Sequence, residues 1–400
     1  VEKIQVLLLF VANTNTIFAS NVLFLTFMFQ ETILFFTPNL RTEAPDAASG
    51  YTWGKPAQES NILRLLPQTV SAEPGIQKLY EQNCIVSERW LCSDDQTQGS
   101  LTFWQGMPVA FSAVLEKHAE AILGPQHVKQ YGPYLGCIMK QLDTNSAREK
   151  GGLSVQVHPK SGHPSRPSKP EMWKGEGHVY IGWKETMNAE KLREIYTHER
   201  IEAYMHSITM DKNTLILVAG GLVHAIRGNS FLCEWSKAPG AEDIAKGNIK
   251  DATIALWDRT DGKTPRPGKE DLEGAIEVME HADMLRETTP ENLLYRSELQ
   301  QTDKNGNHTR ALFRTPEVYV DEYTVQTQID LSLEDRGLPL YVESGVLNIF
   351  QKHTHLARLE AGTECFLPYA LQNLQIVAEK APCIFQTWYA PLENIDQPTL

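Results

Sequence analysis

Residues 153–159 read LSVQVHP, and the fold of the chain turns on how this stretch is understood. Successive side chains of a strand point to opposite faces, so Gln156 and His158 share one face, and Pro159 closes the segment. An amide oxygen and an imidazole converging from one strand make half of a metal site. Taken alone, a Gln-x-His pair is more often a buried histidine and an amide satisfying backbone groups. What else the chain brings to that face decides between the two.

Two later segments bring donors. The loop HPKSGHPSRPSKP (158–170) is rich in turn formers and leads into KPEMW (169–173) with Glu171. A carboxylate leaving such a loop is usually only solvated. TLILVAGGLVHAI (214–226) joins an apolar strand to a Gly-Gly turn and then His224, a way to place an imidazole at the mouth of a β-barrel. By itself His224 is a turn residue. Together Gln156, His158, Glu171 and His224 form a mixed nitrogen and oxygen donor set suited to a borderline divalent cation. No cysteine takes part, so the set reads as catalytic, with room for water or substrate, rather than as structural zinc.

A chain of 400 residues exceeds one compact core and implies two or three domains. Its net charge of −13 excludes non-specific nucleic-acid binding, and an anionic substrate would need a local cluster of Lys or Arg. The six cysteines form no C-x-x-C pair and read as buried free thiols of a reduced compartment. QVLLLFVA (5–12) and VLFLTFMFQETILFF (22–36) are strongly apolar, yet each is shorter than the roughly 20 residues of a spanning helix. Residues 1–44 are therefore set apart as an apolar extension of unknown role: a signal, an anchor or a packed β-segment. Unless residues 1–36 serve as a signal or anchor, no membrane association is expected, and the location expected is cytoplasmic. The oligomeric state stays open.

Helical periodicity runs through Phe111, Val114, Leu115, His118 and Ile122, more briefly through Leu192, Ile195 and Tyr196, and through Leu272, Ala275, Ile276 and Met279. Short strand-like runs are more numerous: HVYIGW (178–183), TLILVAG (214–220) and FLCEW (231–235), then a series beyond residue 310 separated by turns such as Ser344-Gly345 and Ala361-Gly362. No G-x-G-x-x-G or Walker motif is present, which excludes a doubly wound nucleotide fold. The expectation is a mainly β protein with helical insertions. A jelly-roll barrel at 45–297 carries the metal, a linker spans 298–309, and a second β-domain without metal covers 310–400.

In order, YTWGK (51–55), SERWLCSDDQTQGS (87–100), LSVQVHP, KPEMW, VYIGWKE, VAGGLVHAI and DGKTPRPGKEDLEGAIEVM (261–279) resemble the motifs of class I mannose-6-phosphate isomerases, zinc enzymes of the cupin superfamily. The resemblance runs from about Tyr51 to the C-terminus. It implies that both β-domains are cupin-like and that Gln156, His158, Glu171 and His224 bind one zinc ion per chain. It also implies that Ser154, Lys169, Lys140 and Trp173 lie beside a phosphorylated hexose. The implied reaction interconverts mannose 6-phosphate and fructose 6-phosphate through an enediol or enediolate. Asp258, Lys169 and a metal-bound water are candidates for the base. Arg259 and Arg266 are candidates for holding phosphate or the enediolate. One family arginine has no counterpart: Ala255 or Thr253 stands there, depending on the alignment. That departure keeps a catalytically weakened carbohydrate-binding or regulatory homologue as an alternative. Two histidines and a carboxylate keep a non-heme iron oxygenase as another.

Overall fold

A computed structural model describes residues 32–393 apart from 46, 48–50, 105, 146–152, 199–200, 239–251, 258–270, 298–299 and 334. The architecture is mainly β, with two large sheets and helices around them. Three helices lie where the periodicity places them, at Phe111–Leu123, Ala189–His198 and Leu272–Ala282. Asp271 caps the last of these, its carboxylate accepting from the Gly274 N–H.

The first sheet is built on two long antiparallel strands, Glu171–Trp183 and His224–Lys237. Strands Cys137–Asp143, Ile85–Leu91 and Asn39–Glu43 extend it on one side. The short strand Val155–Val157 pairs with His224 and with Ile254–Trp257. Along the two long strands Glu171 lies opposite Ser236, whereas His224 lies opposite Ile181, ten residues further on. In a flat ladder at about 3.3 Å per residue those ends would be ~33 Å apart. Yet a Glu171 carboxylate oxygen lies 3.7 Å from the His224 ring nitrogen. The sheet must therefore curl back on itself. Gly175 and Gly177 are where it can: both have positive φ, and a side chain there would run into the backbone or side chains of Ser230–Leu232. A shift in register between Arg227 and Phe231 marks the same bend on the partner strand. The described pairings curl without closing a ring of hydrogen bonds, so an open, curled sheet stands where a barrel is expected.

The second sheet is formed by strands between residues 300 and 389 together with Leu34–Phe35, and is built around Leu338–Gln351 and Asn373–Tyr389. Three expectations change. Ser344-Gly345 is not a turn but a bulge inside one long strand, with Gly345 at positive φ against the backbone of Cys383. Residues read as a linker instead pair as a hairpin, Gln300–Thr302 with His308–Arg314. Part of the N-terminal stretch is integral to both sheets. Leu34–Phe35 pairs with Cys365 and Phe366 of the second, and Asn39–Glu43 pairs with Ile85–Trp90 of the first. In the hairpin and the N-terminal stretch the apolar alternation is too short to distinguish an edge strand from a loop. Among the described residues no helix is long and apolar enough to cross a membrane.

Alternation gives each central strand of the first sheet two duties. Trp90, Lys140, Glu234 and Trp173 sit side by side in register on one face. One residue along, Arg89, Gln141, Cys233 and Lys174 form a row on the other face. That row meets a matching one from the second sheet, Glu364, Tyr341, Gln386 and Glu322. Arg89 and Glu364 pair at 3.0 Å, each 2% exposed, and Lys174 binds both Glu322 and Glu343. Around this polar seam the sheets share an apolar core that includes Met172, Trp235, Phe313, Phe366 and Trp388.

Candidate metal centre

Three segments deliver the donors. Gln156 comes from the short strand and His158 from its end, Glu171 opens the next strand, and His224 opens the long strand after the Gly-Gly turn. The turn is packed tightly against the loop that follows His158. A side chain at Gly220 would meet the Lys160 backbone at 2.5 Å, and the Gly221 N–H donates to the His158 carbonyl at 2.6 Å. The two glycines thus clamp the His158 and His224 segments together.

His158, Glu171 and His224 are all buried, and their ligand atoms lie within 4.8 Å of one another. His158 Nδ1 is 2.9 Å from the Ala252 carbonyl, and His224 Nδ1 is 2.9 Å from the Leu222 carbonyl. A carbonyl only accepts, so each ring places its proton on Nδ1 and turns Nε2 inward. His158 Nε2 lies 2.8 Å from Glu171 Oε1 yet makes no aligned hydrogen bond. Burial, then the neighbouring His158, push the His224 pKa down to about 3, so its inward nitrogen is a bare lone pair at neutral pH. Gln156 Nε2 lies 3.2 Å from that nitrogen. The amide can present its oxygen instead by turning over, since its two ends occupy the same space. More acceptors than protons therefore converge on one buried point, which fits a cation.

Glu171 is held from several sides. Lys169 Nζ lies 2.6 Å from Oε1, and the Trp173 indole N–H donates to Oε2 at 3.1 Å. Burial alone would raise this carboxyl's pKa, but Lys169, then His158 and His224, hold it well below the usual range. Trp173 is fully buried and sits edge-on to the His224 ring, with centroids 5.4 Å apart. It packs against the candidate donors from the buried side.

Lys140 and Lys169 flank a residue that sequence reading passed over. Glu234 Oε1 is 3.5 Å from Lys140 Nζ and 4.0 Å from Lys169 Nζ. Burial, then repulsion from Glu171, raise the Glu234 pKa, and the two lysines oppose the rise. The signal was a lone carboxylate inside the apolar run FLCEW, but only strand register brings it to Lys140. Lys140 also lies over Trp90, 4.9 Å from the ring centroid. Ser154 is buried and shares the alternation of Gln156. Ala255, one candidate position for the missing arginine, is the cross-strand partner of Gln156. Asp258, Arg259 and Arg266 lie outside the described residues.

No family model and no curated protein matches the sequence. Solved structures do match the fold. Mannose 6-phosphate isomerase from Bacillus subtilis is 15% identical, with a TM-score of 0.63 over 90% of this chain and 99% of that one. A variant of phosphomannose isomerase from Salmonella typhimurium is 11% identical, with a TM-score of 0.63 over 90% and 99%. A zinc-bound mannose 6-phosphate isomerase is 12% identical, with a TM-score of 0.62 over 90% and 100%. At the level of fold, then, the chain is built as these mannose-6-phosphate isomerases of known structure are.

Proposed function

We propose that the protein is a zinc-dependent aldose–ketose isomerase that interconverts mannose 6-phosphate and fructose 6-phosphate. The observation that supports this most is the convergence of Gln156, His158, Glu171 and His224 on one buried point beside two lysines. Such an isomerase removes a proton next to a carbonyl and returns it to the neighbouring carbon. The four residues would hold the zinc, which supplies Lewis-acid stabilisation of the negative charge that develops on the sugar oxygens.

The chain's own residues have the remaining tasks. Lys140 and Lys169 are partly exposed, at 15% and 17%, and can bind an anionic group reaching the site. Phosphate binding at one end of the sugar positions its reacting carbons. Among the described residues, Lys169 and Glu234 are the groups placed to hold or move a proton beside the ligands. The raised pKa of Glu234 suits proton exchange better than an ordinary surface carboxylate does. Asp258 and Arg259 stay in the proposal as further acid–base and anion-binding residues. The fourth donor, Gln156, and the lysine pair favour this reading over a non-heme iron oxygenase, whose triad leaves more positions open.

The test is a coupled assay on chelator-treated protein with zinc added back, beside His224→Ala. Turnover restored by zinc and lost in the variant is expected. Folded, zinc-loaded protein with no turnover of mannose 6-phosphate would refute the assigned reaction and leave the metal site to another substrate or to sugar binding alone.

A further inference from the structure

We propose that Lys169 and a divalent cation compete for Glu171, and that metal binding moves the lysine ammonium onto Glu234. This rests on the reading of Gln156, His158, Glu171 and His224 as metal ligands.

Lys169 Nζ sits 2.6 Å from Glu171 Oε1, the same oxygen that lies 2.8 Å from His158 Nε2. The other oxygen, Oε2, is already taken by the Trp173 indole N–H. A cation seated between His158 Nε2 and the Glu171 oxygen nearest to it contacts the same oxygen that the ammonium holds. Two positive charges on one buried oxygen repel strongly, because little solvent screens them. One must leave.

An alternative seat lies close by. Glu234 Oε1 is buried and makes no aligned hydrogen bond, with Lys140 Nζ at 3.5 Å and Lys169 Nζ at 4.0 Å. A buried carboxylate oxygen without a hydrogen bond is costly, and one donor removes that cost. Lysine carries its charge on a flexible four-carbon stem, so a shift of roughly 1 Å closes the gap without moving the backbone. The exchange satisfies both carboxylates: Glu171 by the cation and Glu234 by the ammonium. It also places Lys169 beside Lys140, which already faces Glu234 at 3.5 Å. The pair of cations that receives an anionic substrate is then complete only after metal has loaded.

A double-mutant cycle separates exchange from simple charge effects. Zinc affinity of the full-length, metal-stripped chain is measured by competition with a chromophoric chelator. The set comprises wild type, Lys169→Met, Glu234→Gln and the double variant. Exchange predicts that Lys169→Met binds zinc about tenfold more tightly. It predicts that Glu234→Gln weakens binding about tenfold when Lys169 is present, and less than about twofold when Lys169→Met is present as well. Equal effects of Glu234→Gln in both backgrounds would overturn the exchange, as would weaker zinc binding in Lys169→Met. A wild-type chain that binds no zinc would overturn the exchange and the metal reading together. Should Lys169→Met fail to fold, as judged by near-ultraviolet circular dichroism, Lys169→Gln completes the same cycle.

Discussion

Replacing Trp173 with phenylalanine should loosen the metal centre while leaving all four donors in place. The indole N–H gives a charge-assisted hydrogen bond to Glu171 Oε2 at 3.1 Å, inside a fully buried setting. Such bonds are worth about 1.5–3 kcal/mol. Glu171 keeps Lys169 and His158 after the change, so it remains ionised but becomes freer to turn. Residues that orient a ligand in this way typically contribute about 10–100-fold in metal affinity. The loss of ring volume must be separated from the loss of the bond, and Trp183→Phe provides the control. Trp183 is also fully buried, but its indole N–H makes no hydrogen bond. Zinc affinity by chelator competition and stability by urea unfolding would be compared for the two variants. Trp173→Phe should show the tenfold or greater loss in affinity, and Trp183→Phe should not. A folded Trp173→Phe protein that binds zinc within about twofold of wild type would refute a positioning role for the indole.

Two other outcomes follow from the same structure. Arg89→Met should destabilise the protein by about 3–5 kcal/mol at pH 7, because it leaves Glu364 ionised and unpaired in the seam. Burial already raises the Glu364 pKa despite Arg89, and removing the arginine raises it further; the folded state then binds the extra proton, so the measured loss should shrink as pH falls toward 5. An urea midpoint equal to wild type at both pH values would contradict this. Burial pushes the His127 pKa down to about 4, against the Tyr134 carbonyl that its ring contacts at 2.8 Å. The unfolded chain takes up that proton first, so stability is full above about pH 6.5 and falls as pH drops toward 4. His127→Gln should remove at most about 3 kcal/mol of this dependence, and an unchanged stability–pH profile would rule it out.

The convergence of the candidate donors is legible because each sits in a local pattern: alternation for Gln156 and His158, a motif for Glu171, and an apolar strand with a Gly-Gly turn for His224. Glu234 was not legible, because its partner Lys140 lies 94 residues away and meets it only through strand register. The bond from Trp173 to Glu171 is hidden in the sequence for a related reason. Trp173 shares the face of Glu171, as two-residue spacing requires, but only packing tells the floor of a site from its wall. Gly345 illustrates a third limit. Positive φ serves a turn and a bulge equally well, and only the pairing of the flanking residues with Asn373–Tyr389 distinguishes them. At the N-terminus, Ile33 and Leu34 announce burial without saying against what, since their partners come from the far end of the chain.

The two adjoining rows of side chains have a consequence for how this sequence can change over time. Along Cys137–Asp143 and His224–Lys237, Lys140 and Glu234 face the candidate metal centre, while Gln141 and Cys233 serve the seam. Substitutions at these positions can be tried one at a time, each answering to a single face. Loss or gain of one residue cannot, because a shift of one exchanges the faces of every residue beyond it. Such a frame error would turn the Lys140 position into the seam and present Gln141 to the ligands, disabling chemistry and cohesion in a single step. Length variation among descendants of this chain should therefore collect in the connecting loops, and the central strands should hold their residue count even where their letters drift.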